Sequence, residues 1–267
     1  MSKRRVRANG IEMSCVIEGE GPWLVLSHSL ACDHTMWDDQ MAALTASFKV
    51  LNYETRGHGR TDATPGPYSL DLLADDLIAL LDALGIAKAH FVGLSMGGMI
   101  GQVCALKHQD RFERLVLCDT TSFYDPSVRP IWMQRIRQAE TAGVSSIADS
   151  TLERWFTPEF RARRPDVMDK FGACIAATSL DGYAACSEAL LDINVTAELK
   201  NICRPMRIIV GACDVGTPVA MARAIHESVP GSDLVVVEQA AHFPNVEQTQ
   251  TFNRALVSFL RGETDAR

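Results

Sequence analysis

The 267-residue chain carries 26 Lys and Arg against 33 Asp and Glu, a formal net charge of −7, and 47% of its residues are apolar. That balance fits a globular α/β core with an insertion, and it lacks the basic footprint of a nucleic-acid binder. The basic run "KRR" near the start is followed by no apolar leader-like segment, and no apolar run approaches the roughly 18 residues of a membrane span, so neither secretion nor membrane insertion is expected.

In chain order, "VRANGIEMSCVIEG" reads as two strands turning at Asn9-Gly10, a strong hairpin signal. A buried strand "WLVLS", a helix "MWDDQMAALTA" and a strand "KVLNYE" follow. Ser69 then opens a helix on which Leu70, Leu73, Leu77, Leu81 and Leu84 share one face, and Gly85 closes it. Next come the strand "KAHFVG", the helix "MIGQVCALKH" and the strand "RLVLCD". From about Thr121 to Lys200 the rhythm is interrupted by a helix-rich stretch with Trp132 and Trp155 and no convincing strand. It resumes with "MRIIVGACD", the helix "PVAMARAIHESV", the strand "DLVVVE" and a last helix to "VSFLRG". Strands alternating with helices predict an α/β fold with a mostly parallel sheet covered on both faces. Residues 1–120 and 201–267 are expected to form the core. Residues 121–200 are expected to form a helical cap over the C-terminal strand ends, where open α/β sheets bind ligands. The eight cysteines are scattered without a C-x-x-C pair, which fits a reducing cytoplasm better than a disulfide framework.

The chemistry concentrates at "HFVGLSMGGMIG", where a strand turns into a helix. Gly93-Leu94-Ser95-Met96-Gly97 matches G-x-S-x-G, the nucleophile elbow, whose small flanking residues let strand and helix approach while the serine projects. A five-residue pattern is weak alone; its place between a strand and a helix gives it weight. Serine needs a base, and the base needs an orienting acid, in the chain order serine, acid, histidine. His242, in the loop after "DLVVVE", is the one histidine in that position; His34, His90, His108 and His226 read as structural or surface residues. For the acid, Asp214 ends "MRIIVGACD" and is preferred, with Asp119 at the end of "RLVLCD" as its rival. The oxyanion donors are expected to be the backbone N–H groups of Met96 and Leu30. A serine nucleophile points to acyl chemistry on esters, lactones, thioesters or amides. The histidines lack ligand spacing and the cysteines are unpaired, so no metal site is expected.

The elbow, "YETRGHGRTDATPGPYSL", "ERWFTPEF", "DGYAACSEAL" and "AAHFPNVEQ" together resemble the α/β-hydrolase superfamily and, within it, the 3-oxoadipate enol-lactonase group. The similarity covers nearly the whole chain; the elbow and histidine loop identify only the superfamily, while "RWFTP" and "GYAAC" are more diagnostic. The resemblance implies a cofactor-free enzyme of aromatic degradation that opens the enol-lactone of 3-oxoadipate through an acyl-Ser95 intermediate. It also implies that Trp132 and Arg135, three apart on one helical face, bind substrate, with Arg135 suited to a carboxylate. Arg56 and His58 in "TRGHGR" read as a structural turn of the fold. Two departures bear on the substrate: Ser27-His28-Ser29 stands where the group reads Ser-Asn-Ser, and Asp119 where many members have asparagine. Both are expected to border the active site. A broad carboxylesterase, a lactonase for other rings, and a receptor that kept the fold without turnover remain the alternatives.

Overall fold

The computed structural model describes residues 2–263. Eight strands form one sheet: β1 (Ser2–Ala8), β2 (Ile11–Glu18), β3 (Trp23–Ser27), β4 (Lys49–Tyr53), β5 (Ala89–Leu94), β6 (Phe112–Cys118), β7 (Met206–Gly211) and β8 (Asp233–Val237). Their order across the sheet is β1-β2-β4-β3-β5-β6-β7-β8. From β4 to β8 every neighbouring pair is parallel, whereas β1–β2 and β2–β4 are antiparallel. The hairpin joining β1 and β2 turns at Asn9 (φ 44°) and Gly10 (φ 79°), with Ala8 paired to Ile11. Positive φ at both turn residues matches the twist of the flanking strands.

The central strands are nearly continuous apolar runs because helices cover both faces. Every residue of β7, "MRIIVG", is buried. The helices between the strands are α1 (Asp38–Thr45), entered through a 3₁₀ turn over His34–Trp37, α2 (Leu70–Ala83) and α3 (Met96–His108). The Ser69 hydroxyl caps α2 by accepting the Leu72 N–H. After β6 the chain leaves the sheet for five helices: α4 (Arg129–Ala142), α5 (Ala148–Trp155), α6 (Pro158–Arg163), α7 (Pro165–Ala177) and α8 (Leu180–Leu191). This insert is helical apart from an isolated bridge pairing Phe123 with Asn194, where it leaves and rejoins the core. The chain then completes the sheet with α9 (Val219–Ser228) after β7, and α10 (Pro244–Glu247) and α11 (Thr249–Arg261) after β8. Among the described residues, no helix is long and apolar enough to cross a membrane.

The insert is fastened to the core by aromatic packing. Rings of Trp155, Phe156 and Phe171 surround Phe243 with centroids 4.7, 5.4 and 5.1 Å away. Aromatic pairs at such separations contribute about 0.5–1.5 kcal/mol each beyond the area they bury. Phe243 directly follows His242, so the same cluster fixes the loop that carries the histidine.

Candidate active site

Ser95 sits between β5 and α3 with φ 55° and ψ −113°, a backbone conformation costly for a residue bearing a side chain. The surrounding structure holds it there: Ser95 N–H donates to the Cys118 carbonyl (2.9 Å), and Thr120 Oγ1 donates to the Ser95 carbonyl (2.8 Å). The flanking glycines are required by close approach. A Cβ on Gly93 would lie 2.3 Å from the Gly97 carbonyl oxygen, and one on Gly97 would lie 2.2 Å from that of Ser27. Strand and helix therefore meet as bare backbone, and Ser95 opens into a cavity shared with His242.

His242 lies in the loop between β8 and α10, and its Nδ1–H donates to Asp214 Oδ2 at 2.7 Å. Asp214 follows β7 and accepts three further hydrogen bonds: from the N–H groups of Gly216 (2.7 Å) and Thr217 (3.1 Å), and from Thr217 Oγ1 (2.7 Å). Burial works against its charge, yet His242 and the Thr217 donors hold the carboxyl well below the usual carboxylate range. Nδ1 bonded to a fixed carboxylate leaves Nε2 as the basic nitrogen. Asp119 is fully buried and lines no part of the cavity; its Oδ1 accepts the Gly211 N–H (2.9 Å). Burial first, and the Asp214 charge second, push its carboxyl well above the ordinary range. The structure therefore brings His242 to Asp214, with Asp119 behind the pair.

The loop after β3 borders the cavity through Ser29, Leu30 and Ala31. Ala31 N–H donates to His58 Nε2 (3.0 Å) and Thr55 N–H to His28 Nε2 (2.9 Å). Because each Nε2 accepts, the Nδ1–H groups donate, from His28 to the Ser29 carbonyl and from His58 to that of Arg56. Burial keeps both imidazoles neutral, lowering His58 to about 3. His28 thus departs from expectation: its ring is wholly buried, spent on holding the loop, and lines no cavity wall. Arg56 is bonded through Nε and Nη2 to Asp76 (2.7 and 2.6 Å), which anchors the "TRGHGR" turn to α2. Among the described residues the N–H groups of Leu30 and Met96 have no hydrogen-bond acceptor; Met96 directly follows Ser95, and Leu30 lines the same cavity as Ser95.

Trp132 and Arg135 both line the cavity. The Arg135 guanidinium is already engaged, donating to Ser150 Oγ (3.2 Å) and Thr151 Oγ1. A second arginine, Arg154 of α5, was not singled out from the sequence. It lines the same cavity, lies 5.8 Å from the Trp132 ring centroid, and meets no carboxylate or hydrogen-bond acceptor among the described residues. Burial and the neighbouring Arg135 charge lower its pKa. Its signal was the "RWFTP" phrase, which identifies relatives without saying which way the side chain turns. Glu247 was also missed. It is buried, and accepts the Ala241 N–H (2.7 Å), the Thr157 N–H (3.0 Å) and the Thr157 hydroxyl (2.6 Å).

Two groups of metal-ligand type come together among the described residues, their donor atoms within 4.8 Å: Asp33, His34 and Glu54, and Asp119, Asp214 and His242. In the first, His34 Nδ1 pairs with Glu54 (2.6 Å) and Asp33 Oδ1 caps the Thr35 N–H (2.8 Å). The second is the hydrogen-bonded set described above. Both are engaged in bonds within the fold.

A family model for the alpha/beta hydrolase fold matches residues 22–249. In sequence the chain is 37% identical over 244 residues to 3-oxoadipate enol-lactonase 2 of Acinetobacter baylyi, covering 91% of this chain and 90% of that one. It is 31% identical to a putative carbamate hydrolase of Caulobacter segnis, covering 90% of this chain and 91% of that one. In structure it superposes on the enol-lactonase of Burkholderia xenovorans with a TM-score of 0.93 at 38% identity, covering 97% and 100% of the two chains. Matches spanning so much of the chain, on a sheet of this order, leave one conclusion: the chain belongs to the α/β-hydrolase fold family.

Proposed function

We propose that the protein is a serine hydrolase that opens a lactone or ester through an acyl-Ser95 intermediate, with the enol-lactone of 3-oxoadipate as its substrate. The observation that carries this reading is one cavity holding Ser95 on a strained elbow, His242 oriented by an ionised Asp214, and the unpaired cation Arg154. Ser95 Oγ attacks the lactone carbonyl as His242 Nε2 takes its proton, and Asp214 stabilises the imidazolium. The tetrahedral oxyanion accepts hydrogen bonds from the N–H groups of Leu30 and Met96, with the positive end of α3 behind it. Collapse of that intermediate breaks the ring C–O bond, and His242 returns the proton to the leaving enol oxygen, which stays tethered to the acyl group. Water, deprotonated by His242, then hydrolyses the acyl-serine. The released enol tautomerises to a ketone, which makes ring opening effectively irreversible.

The helices of residues 121–200 act in this reading as a cap that selects the substrate. Trp132 supplies an apolar wall. The substrate carboxylate meets Arg154, whose donors are free, and Arg135 adds positive charge from its fixed position. The closeness to enol-lactonases supports this choice of ring. The test is the disappearance of enol-lactone ultraviolet absorbance at catalytic protein concentration. A kcat/KM of about 10⁴ M⁻¹s⁻¹ or above is expected. Higher activity on a neutral p-nitrophenyl ester than on any carboxylated lactone would replace this substrate with those of a general carboxylesterase.

A further inference from the structure

One buried group plays no part in the chemistry above. Asp119 is 0% exposed, and its Oδ2 has no hydrogen-bond partner although its Oδ1 accepts from Gly211. Its backbone is held at φ 42°, a conformation that costs an aspartate energy, while its N–H donates to the Ile209 carbonyl (2.9 Å). Such strain persists only where surrounding contacts fix it, and here it fixes a carboxyl against the back of Asp214. Polar atoms of Asp119, Asp214 and His242 lie within 4.8 Å of one another.

Two buried carboxyl groups this close cannot both ionise, because each charge raises the cost of the other. The donors decide which one does. Asp214 receives four hydrogen bonds, from His242, Gly216 and twice from Thr217, whereas Asp119 receives one. The negative charge therefore belongs to Asp214 and the proton to Asp119. Oδ1 of Asp119 is occupied as an acceptor, so the proton sits on Oδ2, the oxygen otherwise without a partner. We propose that Asp119 is a neutral carboxylic acid at pH 7 whose Oδ2–H donates to the Asp214 carboxylate, making it a positioning residue for the His242–Asp214 pair. The titratable groups around it are Cys118, Asp214, His242 and Glu247, and burial together with the Asp214 and Glu247 charges opposes its ionisation. An asparagine at this place could donate the same bond through its amide and accept the same N–H through its carbonyl, so the aspartate here acts as an asparagine equivalent that carries a dissociable proton.

The positioning role rests on reading Ser95, His242 and Asp214 as a triad; the protonation state does not, and the two are tested separately. Infrared spectra of the wild-type protein minus those of Asp119→Asn at pH 7 are expected to show a protonated-carboxyl C=O band lost with the substitution. Loss of an ionised-carboxylate band instead would overturn the proposal, and this measurement needs no substrate. On any ester the protein hydrolyses, Asp119→Ala is expected to lower kcat roughly tenfold or more with KM little changed, and Asp119→Asn to recover most of that loss. If Asn proved as damaging as Ala, or if Asp119→Asn cost more than Asp214→Asn, the charge would lie on Asp119 and the proposal would fail. Should Asp119→Ala not fold, the Asn variant and its spectrum still decide the matter.

Discussion

Replacing Arg154 by methionine keeps most of the side-chain length and removes the charge. In the free protein the guanidinium lies in a cavity wall over Trp132, with no acceptor among the described residues. A carboxylate docking against it would form charge-assisted hydrogen bonds contributing about 1.5–3 kcal/mol. Losing them corresponds to roughly a 10- to 150-fold fall in kcat/KM for a carboxylated lactone. A neutral p-nitrophenyl ester, which never used the cation, should be hydrolysed by both proteins with similar efficiency. Stability should move the other way. An unpaired charge held away from water costs energy in the folded state, so its removal raises Tm, by about 2–4 °C for each kcal/mol in a chain near this size. Steady-state kinetics on the two substrates and a thermal scan test both halves. Equal losses on neutral and anionic substrates, or a lowered Tm, would show that Arg154 packs the insert and does not await an anion.

Three other substitutions probe different levels of the argument. Ser95 Oγ makes no hydrogen bond to the fold among the described residues, so Ser95→Ala should lower turnover on the order of 10⁴-fold or more while Tm stays unchanged; steady hydrolysis by the purified variant would remove Ser95 as nucleophile. Gly97→Ala places a methyl 2.2 Å from the carbonyl oxygen of Ser27 in a central strand, which predicts about 1–3 kcal/mol of destabilisation in urea unfolding. An unchanged midpoint would mean that helix and strand are not held as close as described. Glu54 opposes its burial cost with bonds from His34 and the Arg60 N–H, which lower its pKa from 4.5 to about 2. Its contribution to stability is thus fully present above about pH 4.5 and lost as pH falls through about 2. The Tm gap between wild type and Glu54→Gln should close across that window, and a constant gap would count against the pair.

What could be read from the sequence was local. Eight strand-like runs predicted eight strands, and Asn9-Gly10 specified its own turn, because backbone sterics at two residues suffice for a hairpin. The elbow was legible for the same reason: glycines at fixed offsets from a serine report how closely strand and helix approach. Strand order was not legible. β2 pairs with β4 and not with β3, a choice made by the crossover through α1 and not by any alternation of residues. Asp119 and Asp214 looked alike as strand-end acids and differ only in the donors that tertiary structure brings to each. His28 was assigned to the cavity because it neighbours the oxyanion loop, whereas its ring is consumed by the Thr55 N–H, 27 positions away. Spacing from Trp132 points to Arg135 and passes over Arg154, because the Ser150 and Thr151 hydroxyls that engage Arg135 are brought to it only by the tertiary structure.

Glu247 binds the histidine loop at Ala241 and the insert at Thr157, with a single buried carboxylate. The insert helices that line the cavity and the loop that carries His242 are therefore not separable parts. Exchanging the insert for one from a relative would leave that carboxylate facing an apolar wall unless the graft supplied its own hydroxyl and N–H. The expected result is a displaced His242, so that on the proposed function a graft meant to change substrate choice would also slow turnover on every substrate. Side-chain changes within the helices that spare Thr157 leave this link intact, whereas replacing the helices wholesale removes it.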